Sequence, residues 1–393
     1  MARLETITGK AISGEWGVDD EFGTGIPVLR TTNFTNDGVI NFTNVVTRTI
    51  AKKDLSEKYL RLGDIIIEKS GGSDKQPVGR VVYYSGKPNT YLFNNFTGVL
   101  RVIDSSCWDS KYLFYALYAN YLKGGTRKYQ NKTTGLHNLK TDQYIKEFEV
   151  PERPIQEQKQ ISIIFDRLCE LISLRKQQLA KLDELVKARF VEMFGVYPYN
   201  EKGWKTCTIK DIVSDVRYGT SRPAVDGGTY PYLRMNNITY GGQLDLSDVK
   251  RIDIPENELS KCTVKRGDVL FNRTNSKELV GKTCVYDKDE MMVLAGFIIR
   301  VRVNEQTLPE FLSSFLNADF SKKMLLGMCK TAIGQANINA QELQGIELYL
   351  PPIMLQQEFV VFKTEVSRQK LTIQQSLDKL EVLKTALMQE YFG

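Results

Sequence analysis

Two segments of the chain share a seven-residue hydrophobic repeat, which is typical of long helices that pack against each other. Apolar side chains recur at steps of three and four residues, so they form one stripe along a helix. In both segments the stripe turns polar near the middle. The predicted seam residues are Ile161, Ile164, Leu168, Leu171, Leu182 and Leu185 in the first segment, and Phe359, Phe362, Val366, Ile373, Leu380, Leu383 and Leu387 in the second.

The two segments are copies of each other, because residues 148–195 align with 346–393 without a gap. Pro154 and Pro352 stand at equivalent places where proline is tolerated, at a helix start. Gly195 and Gly393 stand where helices stop. Each predicted helix of roughly 39 residues would be about 58 Å long. The simplest prediction is an antiparallel coiled-coil pair, and the alternative is that each helix packs on its own globular block.

The sequence before each helix predicts a mixed domain. Short β-rich runs bounded by Gly, Pro and Asn indicate strands. They cover residues 64–67, 80–84, 98–103, 268–272, 282–286 and 297–303, and helices are predicted at 108–122 and 309–326. The predicted fold class is therefore α/β (α+β), with two globular copies, two long helices and a pseudo-two-fold internal repeat. The expected boundaries are 1–150, 151–195, 196–349 and 350–393.

The repeat continues into the globular blocks, where the framework agrees and the loops differ. Residues 26–34 match 230–238, which places Arg30 on Arg234 and Asn33 on Asn237. Residues 62–84 match 266–287, but the loop within them has a different length in each copy. A common scaffold with divergent loops suggests two sites of one kind that recognise two different things.

Composition excludes several classes of protein. The chain is 42% hydrophobic and 25% charged, which is ordinary for a globular protein. No apolar run approaches the roughly 20 residues that span a bilayer, and the first residues lack the apolar core of a signal peptide. We therefore expect a cytoplasmic protein without a membrane partner.

The residues that usually carry catalysis or bind metals are sparse. Six cysteines are scattered without metal-ligand spacing, and His137 is the one histidine. We expect His137 to be a polar loop residue rather than a general base. Residues 276–283 resemble a phosphate-binding P-loop, but Ser276 replaces its first glycine and a strand is predicted where a helix must follow. The sequence thus predicts no catalytic residues and no metal site.

Basic and amide residues cluster in the predicted loops. The net charge of +6 belongs to the globular blocks, because the helical segments carry nearly equal numbers of acidic and basic residues. Arg and Lys reach phosphates and guanine edges, and Asn and Gln pair with adenine. The candidate DNA-binding residues are Arg30, Asn33, Lys69, Ser73, Lys75, Arg127, Lys128 and Lys132 in the first block, and Tyr218, Thr220, Arg222, Arg234, Asn236, Asn237, Arg273, Asn275, Lys277 and Lys330 in the second.

The first helical segment resembles a known family. Residues 154–195, beginning PIQEQKQISIIF and ending ARFVEMFG, are similar to the central conserved region of the specificity subunits of type I restriction-modification enzymes. The resemblance extends over the whole chain as recognition domain, helix, recognition domain, helix. The Gly-Asp pairs Gly63-Asp64 and Gly267-Asp268 agree with it. The second helix departs at Leu355, where the family usually has Glu.

The resemblance implies a subunit without catalysis of its own, in which each recognition domain reads one half of a bipartite, asymmetric target in double-stranded DNA. The helices would set the spacer between the halves. Two methyltransferase subunits would dock on this chain and bring S-adenosylmethionine. Restriction subunits, which would bring ATP and Mg²⁺, are left open as further partners. Two alternatives also stay open: the specificity subunit of a related type II system, and a stand-alone coiled-coil DNA-binding protein.

Overall fold

The chain forms two compact units. One comprises Met1–Arg175 and Ser376–Gly393, and the other comprises Lys176–Gln375. The computed structural model describes residues 1–52, 54–133, 136–332 and 335–393, without the side chains of 132, 133, 330–332 and 335. Each long helix contributes residues to both units. The boundaries of the compact units therefore fall within the helices, not at the ends of the four predicted segments.

In the described part of the chain, helices and short strands alternate. The helices are α1 (Leu4–Thr8), α2 (Ser110–Leu122), α3 (Thr141–Glu147), α4 (Ile155–Phe194), α5 (Glu256–Cys262), α6 (Pro309–Asn317), α7 (Asp319–Met328), α8 (Ala340–Gln344) and α9 (Ile353–Phe392). The strands of the first unit are β1 (Ala2–Arg3), β2 (Ile12–Ser13), β3 (Val18–Asp19), β4 (Ile26–Leu29), β5 (Val46–Thr49), β6 (Ile65–Glu68), β7 (Ser70–Gly72), β8 (Val81–Tyr83), β9 (Leu92–Phe93), β10 (Thr97–Leu100), β11 (Gln130–Thr133), β12 (Leu136–Leu139) and β13 (Glu149–Val150). Those of the second unit are β14 (Lys205–Thr208), β15 (Val213–Tyr218), β16 (Tyr230–Leu233), β17 (Lys250–Ile252), β18 (Thr263–Val264), β19 (Val269–Asn272), β20 (Thr274–Asn275), β21 (Thr283–Val285), β22 (Met292–Leu294), β23 (Ile298–Val303), β24 (Lys330–Ala332), β25 (Gln335–Asn337) and β26 (Glu347–Leu350).

The two units repeat one sheet architecture, which confirms the predicted fold class. A four-stranded antiparallel sheet has the order β2-β10-β6-β8 in the first unit and β15-β23-β19-β21 in the second. A second sheet contains β5-β4-β9 in the first unit and β17-β16-β22 in the second. The last two strands of each set, β4 and β9 or β16 and β22, run parallel. A three-stranded sheet has the order β11-β12-β7 in the first unit and β20-β25-β24 in the second.

The long helices begin and end where the sequence predicts. Pro154 and Pro352 directly precede α4 and α9, and the Pro154 carbonyl accepts a hydrogen bond from the Gln158 N–H at 3.0 Å. After α4, Gly195 has a φ of 84°, a left-handed conformation that a side chain would strain. Its N–H donates to the Val191 carbonyl at 2.8 Å.

One predicted helix is interrupted. The stretch 309–326 forms α6 and α7, because Ala318 between them has an extended backbone with ψ of 148°. Just before the break, the Asn317 amide donates to the Thr283 carbonyl at 2.6 Å and to the Ser313 carbonyl at 2.9 Å. The side chain at the end of α6 is thus bonded to strand β21. Amphipathic spacing alone could not show this bond.

Within each unit, the two long helices pack antiparallel against each other and against the globular core. In the first unit the beginning of α4 (Ile161, Phe165) shares a core with the end of α9 (Met388) and with α2. In the second unit the end of α4 (Phe190) shares a core with the beginning of α9 (Phe359) and with α6. Both predicted modes of packing therefore occur together.

The phase of the predicted seam needs correction. Ile164, Leu171, Leu185 and Leu383 are 40–47% exposed, whereas Phe165 and Ile172 are buried beside the predicted Ile161 and Leu168. Positions 161, 165, 168 and 172 also follow a heptad, but with the four-residue step before the three-residue step. The Phe165 ring stacks on Tyr115 with centroids 4.9 Å apart. Phe359 and Val366 are buried as predicted. The predicted residues that are partly buried are Leu182, Phe362, Ile373, Leu380 and Leu387.

Candidate nucleic-acid interface

The same turn follows strand β4 in the first unit and strand β16 in the second, and an asparagine side chain holds it in each case. The Asn33 amide oxygen accepts from the Arg30 N–H at 2.9 Å, and the Asn237 oxygen accepts from the Arg234 N–H at 2.8 Å. Each amide nitrogen donates to two carbonyls further along the chain. Both side chains are at most 2% exposed. This burial and these bonds favour a structural role in the turn for Asn33 and Asn237 over the predicted reading of bases.

The second unit gathers half of its predicted site residues around one cavity. This cavity has a volume of about 560 Å³ and lies beside the turns that follow β15 and β22. Thr220 and Asn236 contribute polar side chains, and three arginines line it as well. Loops that are far apart in sequence therefore converge here. The predicted residues that line the cavity are Thr220, Arg222, Arg234, Asn236 and Arg273.

Arg273 lies in this cavity and, among the described residues, makes no ion pair with a carboxylate. Its guanidinium carbon lies 4.9 Å from the centre of the Tyr218 ring, and Nη1 donates to the Gly296 carbonyl at 3.4 Å. Its Nε is buried without a hydrogen-bond partner among the described residues, so the Nη atoms are the donors that a base could meet. Tyr218 is fixed in turn, because its hydroxyl accepts from the Ala340 N–H at 2.8 Å. The aromatic ring thus orients a guanidinium that can still donate hydrogen bonds.

The other two arginines of the cavity are held by carboxylates. Arg222 makes a two-point ion pair with Glu258, at 2.8 and 3.1 Å, and this bond lowers the pKa of the Glu258 carboxyl. Arg234 pairs with Asp248 at 2.8 Å, and the Asn236 amide also donates to Asp248 at 3.4 Å. A base or phosphate would have to displace these acids. Arg222 and Arg234 are therefore weaker candidates than Arg273.

The remaining predicted residues of the second unit lie on its three-stranded sheet or just beyond it. Asn275 is in β20, and its side-chain oxygen accepts from the Ser276 N–H at 2.9 Å. Lys277 is exposed just beyond β20. The backbone of Lys330 belongs to β24, but its side chain lies outside the described part of the chain.

In the first unit, two predicted loops are joined at Asp74. Ser73 and Lys75 are exposed on the turn after β7. Arg127, on a short 3-10 helix, donates to the Asp74 carbonyl at 3.5 Å. Lys128 lies 4.8 Å from the centre of the Tyr129 ring. The backbone of Lys132 is in β11, and its side chain is not among those described.

His137 also reaches Asp74, which corrects its expected place. It lies in strand β12 rather than in a loop and is 8% exposed. Its Nε2 is 3.5 Å from the Asp74 carboxylate, and its Nδ1 is 3.0 Å from the Gln130 side-chain oxygen. The histidine thus links the loop after β7 to the neighbouring hairpin.

Lys69 corresponds to Arg273, and each lies next to an exposed phenylalanine that the sequence prediction missed. Burial lowers the pKa of the Lys69 ammonium. Its N–H donates to the Phe96 carbonyl at 2.8 Å, as the Arg273 N–H does to the Phe297 carbonyl at 2.9 Å. Phe96 and Phe297 are 52% and 49% exposed. An alignment of residues 93–102 with 294–303 places Phe96 on Phe297.

No helix in the described ranges combines the length and the apolarity needed to cross a bilayer. Among the same residues, no group of three His, Cys, Asp or Glu side chains could hold a metal ion. Gly281 and Lys282, from the segment that resembles a P-loop, lead into strand β21, and the Lys282 ammonium donates to the Met235 carbonyl at 2.8 Å.

Comparisons with known proteins agree with this arrangement. A family model described as the type I restriction modification DNA specificity domain matches residues 4–184 and again 201–382. The specificity subunit of the type I restriction enzyme EcoKI from Escherichia coli K12 is 25% identical over 359 residues, which is 85% of this chain and 74% of that protein. A putative MjaX specificity subunit from Methanocaldococcus jannaschii is 25% identical over 48% of this chain and 45% of its own length.

Two solved structures share the fold over the full length of the chain. The type I restriction-modification S subunit from M. genitalium is 13% identical with a TM-score of 0.59, and 95% of it is covered. A chain from a structure describing complex assembly and conformational transition of the type I R-M system is 15% identical with a TM-score of 0.59, and 96% of it is covered.

Proposed function

The chain belongs to the type I restriction modification DNA specificity family, and from this premise we propose that each of its two units reads one half of a bipartite, asymmetric DNA target. The observation that carries the proposal is one scaffold displayed twice with different polar loops. The second unit displays Arg273 and Asn236 around a cavity. The first displays Ser73, Lys75 and Arg127 around Asp74. Unlike loops on like scaffolds would give unlike half-sites. The family match gives no support to the type II or the stand-alone alternative.

We also propose that α4 and α9 fix the spacer between the half-sites. Each helix is 40 residues long, which corresponds to about 60 Å. Half-sites one helical turn apart on the same face of DNA are roughly 34–36 Å from centre to centre. Each helix has residues in the core of both units. A continuous helix is stiff enough to act as such a spacer.

The long helices further support a role in docking two methyltransferase subunits. Several of their apolar side chains are well exposed, among them Met354, Val361, Leu371 and Val382 at 60–71%. Exposed apolar side chains in this number are typical of interaction surfaces. In this proposal the methyltransferase subunits hold S-adenosylmethionine, and restriction subunits, where two of them join, hold ATP and Mg²⁺. This chain contributes DNA recognition and no catalytic group.

Replacing Val361 by glutamate is expected to weaken the methyltransferase association by about tenfold or more, because a buried charge would oppose an apolar contact. Val361 is 71% exposed, so the stability of the isolated chain should hardly change. Gln375→Glu, at an exposed position of the same helix, is the control for added charge. Equal affinities of both variants in a co-purification titration would remove Val361 from the interface.

Replacing Arg273 by alanine is expected to cost about 1–3 kcal/mol of DNA-binding free energy if its guanidinium reads a base through two hydrogen bonds. The loss should be confined to the second half-site, where discrimination between bases should relax. Fluorescence anisotropy with cognate and single-mismatch duplexes measures both. Lys277→Ala is the matched control. Loss of an exposed phosphate contact would weaken the affinity for all sequences alike and reduce its dependence on salt. Unchanged affinity for the cognate duplex would exclude Arg273.

The proposal as a whole is tested by selecting duplexes from a random library with the purified complex of this chain and its methyltransferase. Two fixed blocks separated by a spacer of constant length are expected among the bound sequences. One block alone, or two identical blocks in inverted order, would contradict the proposal that the two units read different half-sites.

A further inference from the structure

Both units expose a phenylalanine at the same place of the fold. Phe96 is the last residue before β10, and Phe297 is the last residue before β23. Each lies in a tight turn closed by a backbone hydrogen bond, Thr97 N–H to the Asn94 carbonyl at 3.1 Å and Ile298 N–H to the Ala295 carbonyl at 2.9 Å. The turn presents the ring to solvent, with about half of its surface accessible in each case.

Each phenylalanine has a basic residue fixed beside it. Lys69 is bonded through its backbone to Phe96, and Arg273 in the same way to Phe297. The Arg273 side chain also donates to the carbonyl of Gly296, next to Phe297. Phe297 lines the same cavity as Arg273 and Asn236. In both units the backbone thus holds a basic residue across from the exposed ring, and in the second unit both residues line the candidate cavity.

An exposed apolar side chain needs no explanation when it occurs singly. Here the same residue type recurs at equivalent positions of two copies whose loops otherwise differ, and each time the backbone bonds it to a basic residue. A ring near a basic residue is complementary to DNA, because a base can stack on the ring while the basic side chain donates hydrogen bonds to a base edge or a phosphate. An apolar protein surface would match the ring but not the flanking charge.

We propose that Phe96 and Phe297 insert against the base stack of the DNA, one in the half-site read by each unit. The inference rests on the proposed function, since it assumes that each unit docks on its own half-site. Apolar wedges of this kind partly unstack a base step and kink the duplex. Stacking of an aromatic ring on a base contributes about 1–3 kcal/mol per base. The two phenylalanines would therefore add affinity and local deformation to the reading of base edges.

The test uses the complex of the full chain with its methyltransferase and the duplex selected by the wild type. 2-Aminopurine replaces single bases of each half-site, away from the methylated adenine, because its fluorescence rises when it unstacks. The wild type should raise the signal at one step in each half-site. Phe297→Ala should remove the rise in the second half-site only and weaken binding about tenfold. Phe96→Ala should do the same in the first half-site, and Phe297→Trp should retain the signal.

Tyr199→Ala is the control for loss of an exposed ring, because Tyr199 belongs to the second unit, is 70% exposed and lies outside the cavity. It should leave both signals and the affinity unchanged. If Phe297→Ala binds as tightly and gives the same fluorescence as the wild type, the inference is overturned while half-site reading stands. If the wild type selects no two-block duplex, the proposed function fails, and this inference fails with it.

Discussion

Replacing Arg101 by leucine is expected to lower the free energy of unfolding of the first unit by about 3–5 kcal/mol, because it leaves a buried carboxylate without its counter-charge. The Asp64 side chain is 1% exposed. Arg101 pairs with both of its oxygens, Nε with Oδ1 at 2.7 Å and Nη2 with Oδ2 at 2.8 Å. Urea denaturation followed by circular dichroism measures the loss.

A second substitution shows whether the uncompensated charge is the cause. Asp64→Asn added to Arg101→Leu should recover most of the stability, because the neutral amide oxygen can still accept from the Arg61 N–H, which now bonds to Asp64 at 2.8 Å. Arg302→Leu is the counterpart in the second unit, where Arg302 pairs with the buried Asp268. A loss of unfolding free energy below about 1 kcal/mol for Arg101→Leu would show that water reaches Asp64 and that the Arg101–Asp64 ion pair contributes little to the stability of the fold.

Replacing Phe359 by alanine is expected to destabilise the second unit by about 3–5 kcal/mol, because a fully buried ring leaves a cavity when it is removed. Phe359 is 0% exposed and meets the rings of Phe190 and Phe194 edge to face, with centroids 5.4 and 5.6 Å away. Both of those rings also pack on Phe311 of α6. The substitution therefore loosens the place where α4, α9 and the globular core of the unit meet.

Phe362→Ala is the matched control, since it removes the same side chain three residues along α9, where the ring is only partly buried beside Arg189. Its cost should be less than half that of Phe359→Ala in the same denaturation series. Equal losses of unfolding free energy for the two variants would mean that burial of Phe359 does not determine which face of α9 packs on the core. A cost for Phe359→Ala under about 1 kcal/mol would contradict the described core.

The duplicated architecture could be predicted because its signals are local and repeated. Proline before the helix and glycine after it fix the ends of α4, and the gap-free offset transfers the prediction to α9. The strands around the Gly-Asp pairs were found for a related reason. Asp64 and Asp268 each accept a hydrogen bond from the backbone three residues earlier, which makes the motif part of a turn in both copies.

The phase of the helix seam could not be predicted from spacing alone. Ile163, Ile164 and Phe165 are three consecutive apolar residues, so either order of three- and four-residue steps fits the heptad. The choice is made by a tertiary contact, the stacking of Phe165 on Tyr115 from α2. The break between α6 and α7 has the same origin, because Asn317 bonds to strand β21. Such contacts join residues that are distant in sequence.

The candidate interface was predicted by residue type, but not by how its residues are bonded. Thr220, Asn236 and Arg273 do meet in one cavity, which residue type and spacing do not reveal. The acids that hold Arg222 and Arg234 come from elsewhere in the chain, Glu258 from helix α5 and Asp248 from the loop before β17. A search for polar residues also passes over exposed aromatic rings, and for this reason Phe96 and Phe297 were missed.

Two-part DNA recognition is tested most directly by mapping adenine methylation across a genome in cells that express the neighbouring methyltransferase gene with and without this chain. Single-molecule sequencing should reveal a motif of two unlike blocks and a fixed spacer, and the motif should vanish when the chain is omitted. A motif that persists without the chain, or one made of a single block, would contradict the account.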